Sequence, residues 1–352
     1  MRVLVLFGGR SGEHEVSVIS ARLVVNALEQ LGHDAVCVGI TRDGRWVKQH
    51  PDEADRVADK GESYVLAPMP HATKDVDAAF PVLHGPNGED GSLQGLFELA
   101  DLPYVGAGVE GSAIGINKIT HKKLFAQAGL PVVDFVAFTR DEWETARASL
   151  TDAVDKLGYP NFAKPARLGS SVGISKIHDA SQVAAAVERA LRHDDDVLIE
   201  AQGFGRELEV GVLGEPPEVS VVGEVVPDGE FYDYRAKYLG DWTELTIPAD
   251  VPSSTERAVH DLATRAFRTA RCEGFARVDF FFDPATEALQ INEINTVPGM
   301  TPNSMFPRVW EASGKSFPDV VRTLLVHALQ RHERKNKLEA ERASAHDDEV
   351  SS

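Results

Sequence analysis

Two apolar runs, 275–282 and 288–294, are separated by Asp283-Pro284-Ala285-Thr286, turn chemistry between strand-forming residues. The spacing predicts an antiparallel hairpin. A turn centred near residue 285 or 286 sets Asp279 opposite Glu293. Strand side chains alternate faces, so Arg277, Asp279 and Phe281 share one face, as do Glu293 and Asn295. Two carboxylates and an amide carbonyl converge there, with an arginine beside them. The carboxylates repel unless a cation sits between them. A hard divalent metal with oxygen ligands suits the set, because magnesium keeps one or two carboxylates plus substrate phosphates. A solvated hairpin face or an internal Arg277–Asp279 pair fits the same pattern. The irregular loop that follows, Thr296 to Ser304, brings backbone N–H groups and hydroxyls to the same end.

The start of the chain restricts the fold further. Val3 to Phe7 reads as a buried strand ending in Gly8-Gly9, Val16 to Leu31 as a helix stopped by Gly32, and Asp34 to Ile40 as a second strand. Strand, helix, strand implies a parallel sheet opening an α/β domain. A strand over 76–83 leads into the loop 84–91 and a helix over 92–100. A first boundary falls near 111–117. The second unit carries helices over 118–128, 141–157 and 180–192, with strands over 132–138, 162–164, 173–176 and 197–200. Between its two short strands, the small-residue loop 166–173 reads as a mobile flap. The third unit carries strands over 207–226, a helix over 255–271, the hairpin, and a last helix near 317–329. The expected domains are 1–115, 116–210 and 211–331. Beyond Arg331 the tail, 332–352, is almost wholly polar, either a helical extension or disordered, with no function expected of it.

Composition narrows the function. The 352 residues hold 36 Lys and Arg against 55 Asp and Glu, a net charge of -19. That opposes a general nucleic-acid binder, which needs a basic footprint. It does not oppose a nucleotide, which a few lysines and a divalent metal can neutralise. No apolar run reaches the ~18–20 residues that cross a bilayer, and the start lacks a secretory signal pattern. The two cysteines, Cys37 and Cys272, make neither a disulfide scaffold nor a cysteine zinc site, so a cytoplasmic location is expected. The loops Gly8-Gly9-Arg10-Ser11-Gly12 and Gly169 to Gly173 match neither the dinucleotide GxGxxG spacing nor the Walker pattern.

Five blocks in order carry a resemblance. They are Gly8-Gly9-x-Ser11-x-Glu13-x-Glu15-Val16-Ser17, then His84-Gly85-x-x-Gly88-Glu89-Asp90-Gly91-x-x-Gln94-Gly95, and Lys164-Pro165-x-x-x-Gly169-Ser170-Ser171-Val172-Gly173. Tyr232-Asp233-Tyr234-x-Ala236-Lys237-Tyr238 follows, and last Arg277-x-Asp279 with Glu293-Ile294-Asn295-Thr296-x-Pro298-Gly299-Met300-Thr301. The chain, to about residue 330, resembles the D-alanine–D-alanine ligases of the ATP-grasp superfamily. The resemblance implies a three-domain ATP-grasp fold, α/β with α+β central and C-terminal units and an open parallel N-terminal sheet. It implies ATP as co-substrate, two Mg2+ (or Mn2+) ions and two D-alanine sites. It also implies a homodimer through the first domain, with no nucleic-acid or membrane partner.

Residue by residue, the resemblance gives Asp279, Glu293 and Asn295 the metals, with Glu293 bridging. Arg277 stabilises the tetrahedral oxyanion and the transferring phosphoryl. Lys118 and Lys164 meet the ATP phosphates under the 169–173 loop, which includes Ser171. Glu200 and Glu207 meet the adenosine, and Phe281 packs on the base. Glu13 holds the ammonium of the first D-alanine and joins Ser170 and Tyr238 in a hydrogen-bonded set. His84 lies near the first substrate, and Lys237 approaches the phosphate or a substrate carboxylate. Ser304 and the backbone of Met305, beside Gly299, take the carboxylate of the second D-alanine. Asn117 departs from the acid usual before the first lysine, and Arg235 from the glutamate usual before Ala-Lys-Tyr. A D-alanine–D-lactate ligase is an alternative that Tyr238 opposes. A silent ATP-binding regulator is another, opposed by the intact Arg277, Asp279, Glu293 and Asn295.

Overall fold

The computed structural model describes residues 1–69, 75–226 and 244–351. Three sheets organise them. The first begins with β1 (Arg2–Gly8), followed by α1 (His14–Gln30), β2 (Asp34–Ile40), β3 (Trp46–Lys48), β4 (Ala78–Pro81) and α2 (Ser92–Leu99). Its strand order is β3-β2-β1-β4, with β1 parallel to both neighbours and β3 an antiparallel edge. The expected open parallel sheet is present. Val3, Val5 and Phe7 enter one core while Leu4 and Leu6 enter another, as a strand covered on both faces requires.

Two helices, α3 (Val109–Ile116) and α4 (Lys118–Gln127), lead to the second sheet. Asn117 separates them. Its side chain accepts from the backbone N–H groups of Ile119 and Thr120, both at 3.1 Å, and so caps α4. The departure at position 117 thus has a local structural use. The sheet is built from β5 (Phe135–Thr139), β6 (Asn161–Pro165), β7 (Ser175–Ile177) and β8 (Asp196–Ala201), in the antiparallel order β5-β8-β6-β7. The helix expected over 141–157 is two, α5 (Arg140–Thr145) and α6 (Arg147–Leu157). The first is capped at its N-terminus by a Thr139–Glu142 capping box, and the chain leaves the helical path at Ala146. α7 (Val183–Ala190) covers the sheet.

The third sheet holds β9 (Arg206–Leu213), β10 (Glu218–Val219), β11 (Gly223–Val226), β12 (Glu244–Thr246), β13 (Phe275–Asp283) and β14 (Ala288–Asn295). The path is β12-β11-β9-β13-β14, with β10 beside β9. α8 (Ser253–Thr269) packs Val259, Ala263 and Phe267 under Val278, Phe280 and Ile291. α9 (Met305–Ala312) and α10 (Phe317–Ser351) end the chain. One core spans both ends of the sequence: Val3, Phe7, Val24, Leu28 and Phe80 pack with Phe306, Trp310, Val320, Val321 and Leu324.

The last helix does not stop near residue 329 but runs on to Ser351. Its extension is tied to the first unit. Arg331 donates to the carbonyls of Gly106 (2.6 Å) and Tyr104 (2.8 Å), pairs with Glu273 at 3.2 Å and stacks over the Tyr104 ring. His332 lies 3.3 Å from Asp101, and Lys335 pairs with Glu98. Arg331→Ala is expected to lower stability by about 2 kcal/mol, since it removes charged hydrogen bonds and a cation–π contact. Truncation after Arg331 removes only partly exposed pairs and should cost under ~1 kcal/mol. Urea titration compares the two, and equal losses would contradict the assignment.

Candidate active site

β13 runs between β9 and β14, and its register builds the site. Asp279 lies beside Glu209 on β9 and Glu293 on β14; Phe281 lies beside Glu207; Arg277 lies beside Asn295. The pairing of Asp279 with Glu293 is the one the turn position implies. A bulge follows at once, between Asp279 and Phe280, and leaves Asn292 as the extra residue. One face therefore carries Arg277, Asp279 and Phe281, while Val278, Phe280 and Phe282 fill the core behind it.

Arg277 grips Asp279 with its fork, Nε to Oδ1 and a terminal nitrogen to Oδ2, both at 2.7 Å. Its Nε is also 3.1 Å from Glu209 Oε2. The internal pair left open by the sequence is thus formed. Burial works against the guanidinium charge, but Asp279 and Glu209 outweigh it and hold the group well above its ordinary pKa. Glu209, itself buried, was not among the expected site residues. Its signal was its place two residues after Glu207, on the same face of the strand.

Two cavities open onto this face. The larger, about 350 Å³, lies between the second and third sheets and is lined by Lys118, Lys164, Ser171, Glu200, Glu207 and Phe281. The smaller, about 70 Å³, is lined by Glu13, His84, Arg277, Asn295, Gly299, Ser304 and Met305. Gly169, Ser170, Glu209 and Glu293 line both, so the cavities meet beside the carboxylates.

In the larger cleft, the Phe281 ring fills the space a side chain at position 203 would need. A Cβ on Gly203 would lie 2.2 Å from it. Lys118 Nζ donates to the Leu168 carbonyl at 2.9 Å and lies 3.3 Å from Glu293 Oε2. Lys164, from β6, pairs with Glu200 on β8. Burial pushes the Glu200 carboxyl up, but Lys122 and Lys164 overcome it and hold the group at about 2. Lys122 was also missed. Its signal was its place four residues after Lys118, on the same face of a helix.

The 166–173 loop is anchored at both edges of the site. Ser170 Oγ donates to the Glu13 carboxylate, and the loop carbonyl of Leu168 accepts from Lys118. Ser170 and Ser171 take left-handed backbone, φ 52° and 59°. Glu13 sits between β1 and α1. The neighbouring His14 pins that turn, its Nδ1 paired with the Gly9 carbonyl at 2.7 Å and its Nε2 accepting from the Val57 N–H at 3.0 Å.

His84 is buried, with Nδ1 3.0 Å from the Val297 carbonyl and 3.9 Å from Glu89 Oε1. Burial pulls its pKa down, but Glu89 and Glu13 carry it above the ordinary value. Ser304 stands at the N-terminus of α9, its Oγ accepting from the Thr301 N–H at 3.1 Å. A Cβ on Gly299 would come within 2.9 Å of that oxygen. Lys237 and Tyr238 lie outside the described residues, as do Tyr232, Asp233, Tyr234, Arg235 and Ala236.

Among the described residues, no three His, Cys, Asp or Glu side chains form a metal cage. The donors here are two carboxylates and an amide. All supply oxygen: Asp279 lines the larger cavity, Asn295 the smaller and Glu293 both. That set fits a hard cation that draws its remaining ligands from phosphate. No described helix is long and apolar enough to cross a membrane.

Comparison with known proteins agrees with the geometry. Residues 2–107 match the family model described as the D-ala D-ala ligase N-terminus, and 124–326 the one described as the D-ala D-ala ligase C-terminus. The chain is 42% identical to a D-alanine–D-alanine ligase of Acetivibrio thermocellus, with 94% of this chain and 96% of that protein covered. It is 44% identical to one of Solibacter usitatus, over 95% and 97%. Among solved structures, the D-alanine-D-alanine ligase from Coxiella burnetii superposes with a TM-score of 0.83 at 33% identity, covering 98% of this chain and 99% of that one. The VanG D-Ala:D-Ser ligase from Enterococcus faecalis gives 0.82 at 33%, covering 93% and 99%. With both family models matched and relatives this similar along nearly its whole length, the chain belongs to the D-alanine–D-alanine ligase family, a family of ATP-grasp ligases.

Proposed function

We propose that the protein joins two molecules of D-alanine at the expense of ATP, making the dipeptide for peptidoglycan precursors. The observation that carries this reading is the meeting of a nucleotide-sized cleft and a small acidic cavity at Glu293 and Ser170, with Arg277 facing the smaller space. A carboxylate is a poor acyl donor, so it must first be phosphorylated. The first D-alanine attacks the γ-phosphorus through its carboxylate oxygen, and ADP leaves. The amine of the second attacks the acyl carbon of the acylphosphate, phosphate departs, and the amine loses a proton. Little of this is covalent work for the protein, which contributes positioning and charge.

Lys118 and Lys164 draw the phosphates, helped by Ser171 and the loop above them. Glu207 and Glu200 accept from the adenosine, and Phe281 supports the base. Glu13, steadied by Ser170 and Tyr238, takes the first ammonium, with His84 near the first substrate. Ser304 and the Met305 N–H take the second carboxylate, where a helix N-terminus favours an anion. Lys237 would approach the phosphate or a substrate carboxylate. Asp279, Glu293 and Asn295 would hold two magnesium or manganese ions, which neutralise the triphosphate when bound. Arg277 offers a permanently charged fork to the anion that builds up between the cavities. In this reading the units divide near 115 and 210, the protein acts in the cytoplasm and pairs through its first unit.

A phosphate-release assay with ATP, magnesium and one acceptor at a time tests the reading. Release is expected with D-alanine alone as both substrates. With D-lactate or D-serine added beside D-alanine, chromatography is expected to find D-alanyl-D-alanine as the product; equal amounts of a depsipeptide or of D-alanyl-D-serine would make the protein a ligase of mixed products, and no phosphate release with any of them would overturn the reading.

A further inference from the structure

Lys122 is sealed away from both cavities. Its side chain is 1% exposed, and its ammonium lies 3.1 Å from Glu200 Oε2. Glu200 is itself 2% exposed. Its other oxygen is held by Lys164, which, unlike Lys122, lines the nucleotide cleft. One buried carboxylate in the cleft wall thus sits between two ammonium groups, and only one of these lines the cleft.

This arrangement poses a charge problem that Lys122 solves. A phosphate entering the cleft competes with Glu200 for Lys164. Without a second cation, the move would strand a buried carboxylate, and a buried charge left alone is strongly unfavourable. Lys164 would then stay on Glu200, or Glu200 would take a proton and lose its character as an acceptor. Lys122 cannot turn to the phosphate, because it lines no part of the cleft.

We propose that Lys122 is a positioning residue of the nucleotide site, the resident counter-charge that keeps Glu200 ionised while Lys164 is given over to phosphate. The proposal rests on the reading of the larger cleft as the ATP site. It gives the two lysines around Glu200 different roles. Lys164 binds the ligand, and Lys122 makes that binding possible without touching it. The depressed pKa of Glu200, which burial alone would raise, is in keeping with two cations acting on it.

Lys122→Met is expected to raise the KM for ATP at least tenfold. The KM for D-alanine should stay within threefold of wild type, as should kcat at saturating ATP. Isothermal titration with ADP and magnesium should show the same loss. Adding Glu200→Gln removes the anion that needs a partner. Lys122→Met/Glu200→Gln should therefore bind ADP about as well as Glu200→Gln alone. A lower melting temperature with an unchanged KM for ATP would mean a merely structural lysine and overturn the proposal. So would an additive further loss in the double variant. If Lys122→Met does not fold, the comparison of the double variant with Glu200→Gln still decides. Wild-type protein that binds no ADP would instead defeat the reading of the cleft, and this inference with it.

Discussion

Glu293→Ala should lower kcat for ligation by a thousandfold or more, about the scale of losing ~4 kcal/mol of charge stabilisation where phosphoryl transfer takes place. Glu293 lines both cavities and also faces Asp279 across the hairpin. Its removal takes away a carboxylate that, on the proposed reading, would hold the cations. It also frees Lys118, now 3.3 Å from it, to drift from the phosphate path. The strand pairing needs only the Glu293 backbone, so far-ultraviolet dichroism should be unchanged. Manganese titration followed by electron paramagnetic resonance gives a readout apart from turnover, with at least one site lost. Activity near wild type, or an unaltered manganese stoichiometry, would sink the metal assignment.

The second large effect is expected at Arg277. Arg277→Met should reduce kcat by roughly a thousandfold, because the anion between the cavities loses its forked donor. It should also destabilise the protein by about 3 kcal/mol, since Asp279 and Glu209 are left as buried acids without their shared cation. Arg277→Lys keeps the charge but not the fork, so most of the stability should return while most of the activity does not. Phosphate release and thermal unfolding measure the two effects separately. A methionine variant that is inactive yet as stable as wild type would mean that the pairing with Asp279 and Glu209 contributes nothing, contrary to the geometry.

The hairpin was legible because two independent signals agree on it. Turn residues mark its centre, and the period of two sorts polar from apolar side chains, so the Asp279–Glu293 pairing follows from arithmetic. The opening sheet was legible for a similar reason, since Gly32 ends a periodic helix between two apolar runs. Residues that act through partners were harder to see. Glu209 and Lys122 look like surface charges until the neighbouring strand puts Arg277 beside one and β8 puts Glu200 beside the other. The break at Ala146 has neither glycine nor proline to announce it. The anchorage just ahead of the tail gave no sign either, because Arg331 is held mostly by backbone carbonyls that no sequence pattern marks.

The core shared by the two ends of the chain bears on how the protein is made. Phe7 and Phe80 leave the ribosome well before Trp310, Val320 and Leu324, which seal them. Domains of a growing chain generally fold as units, N-terminal first, yet here the opening sheet has one apolar face uncovered until those later residues emerge. Nascent chains halted before residue 320 should therefore carry a sticky, protease-sensitive front end, and chaperones will find their substrate there rather than at the catalytic hairpin.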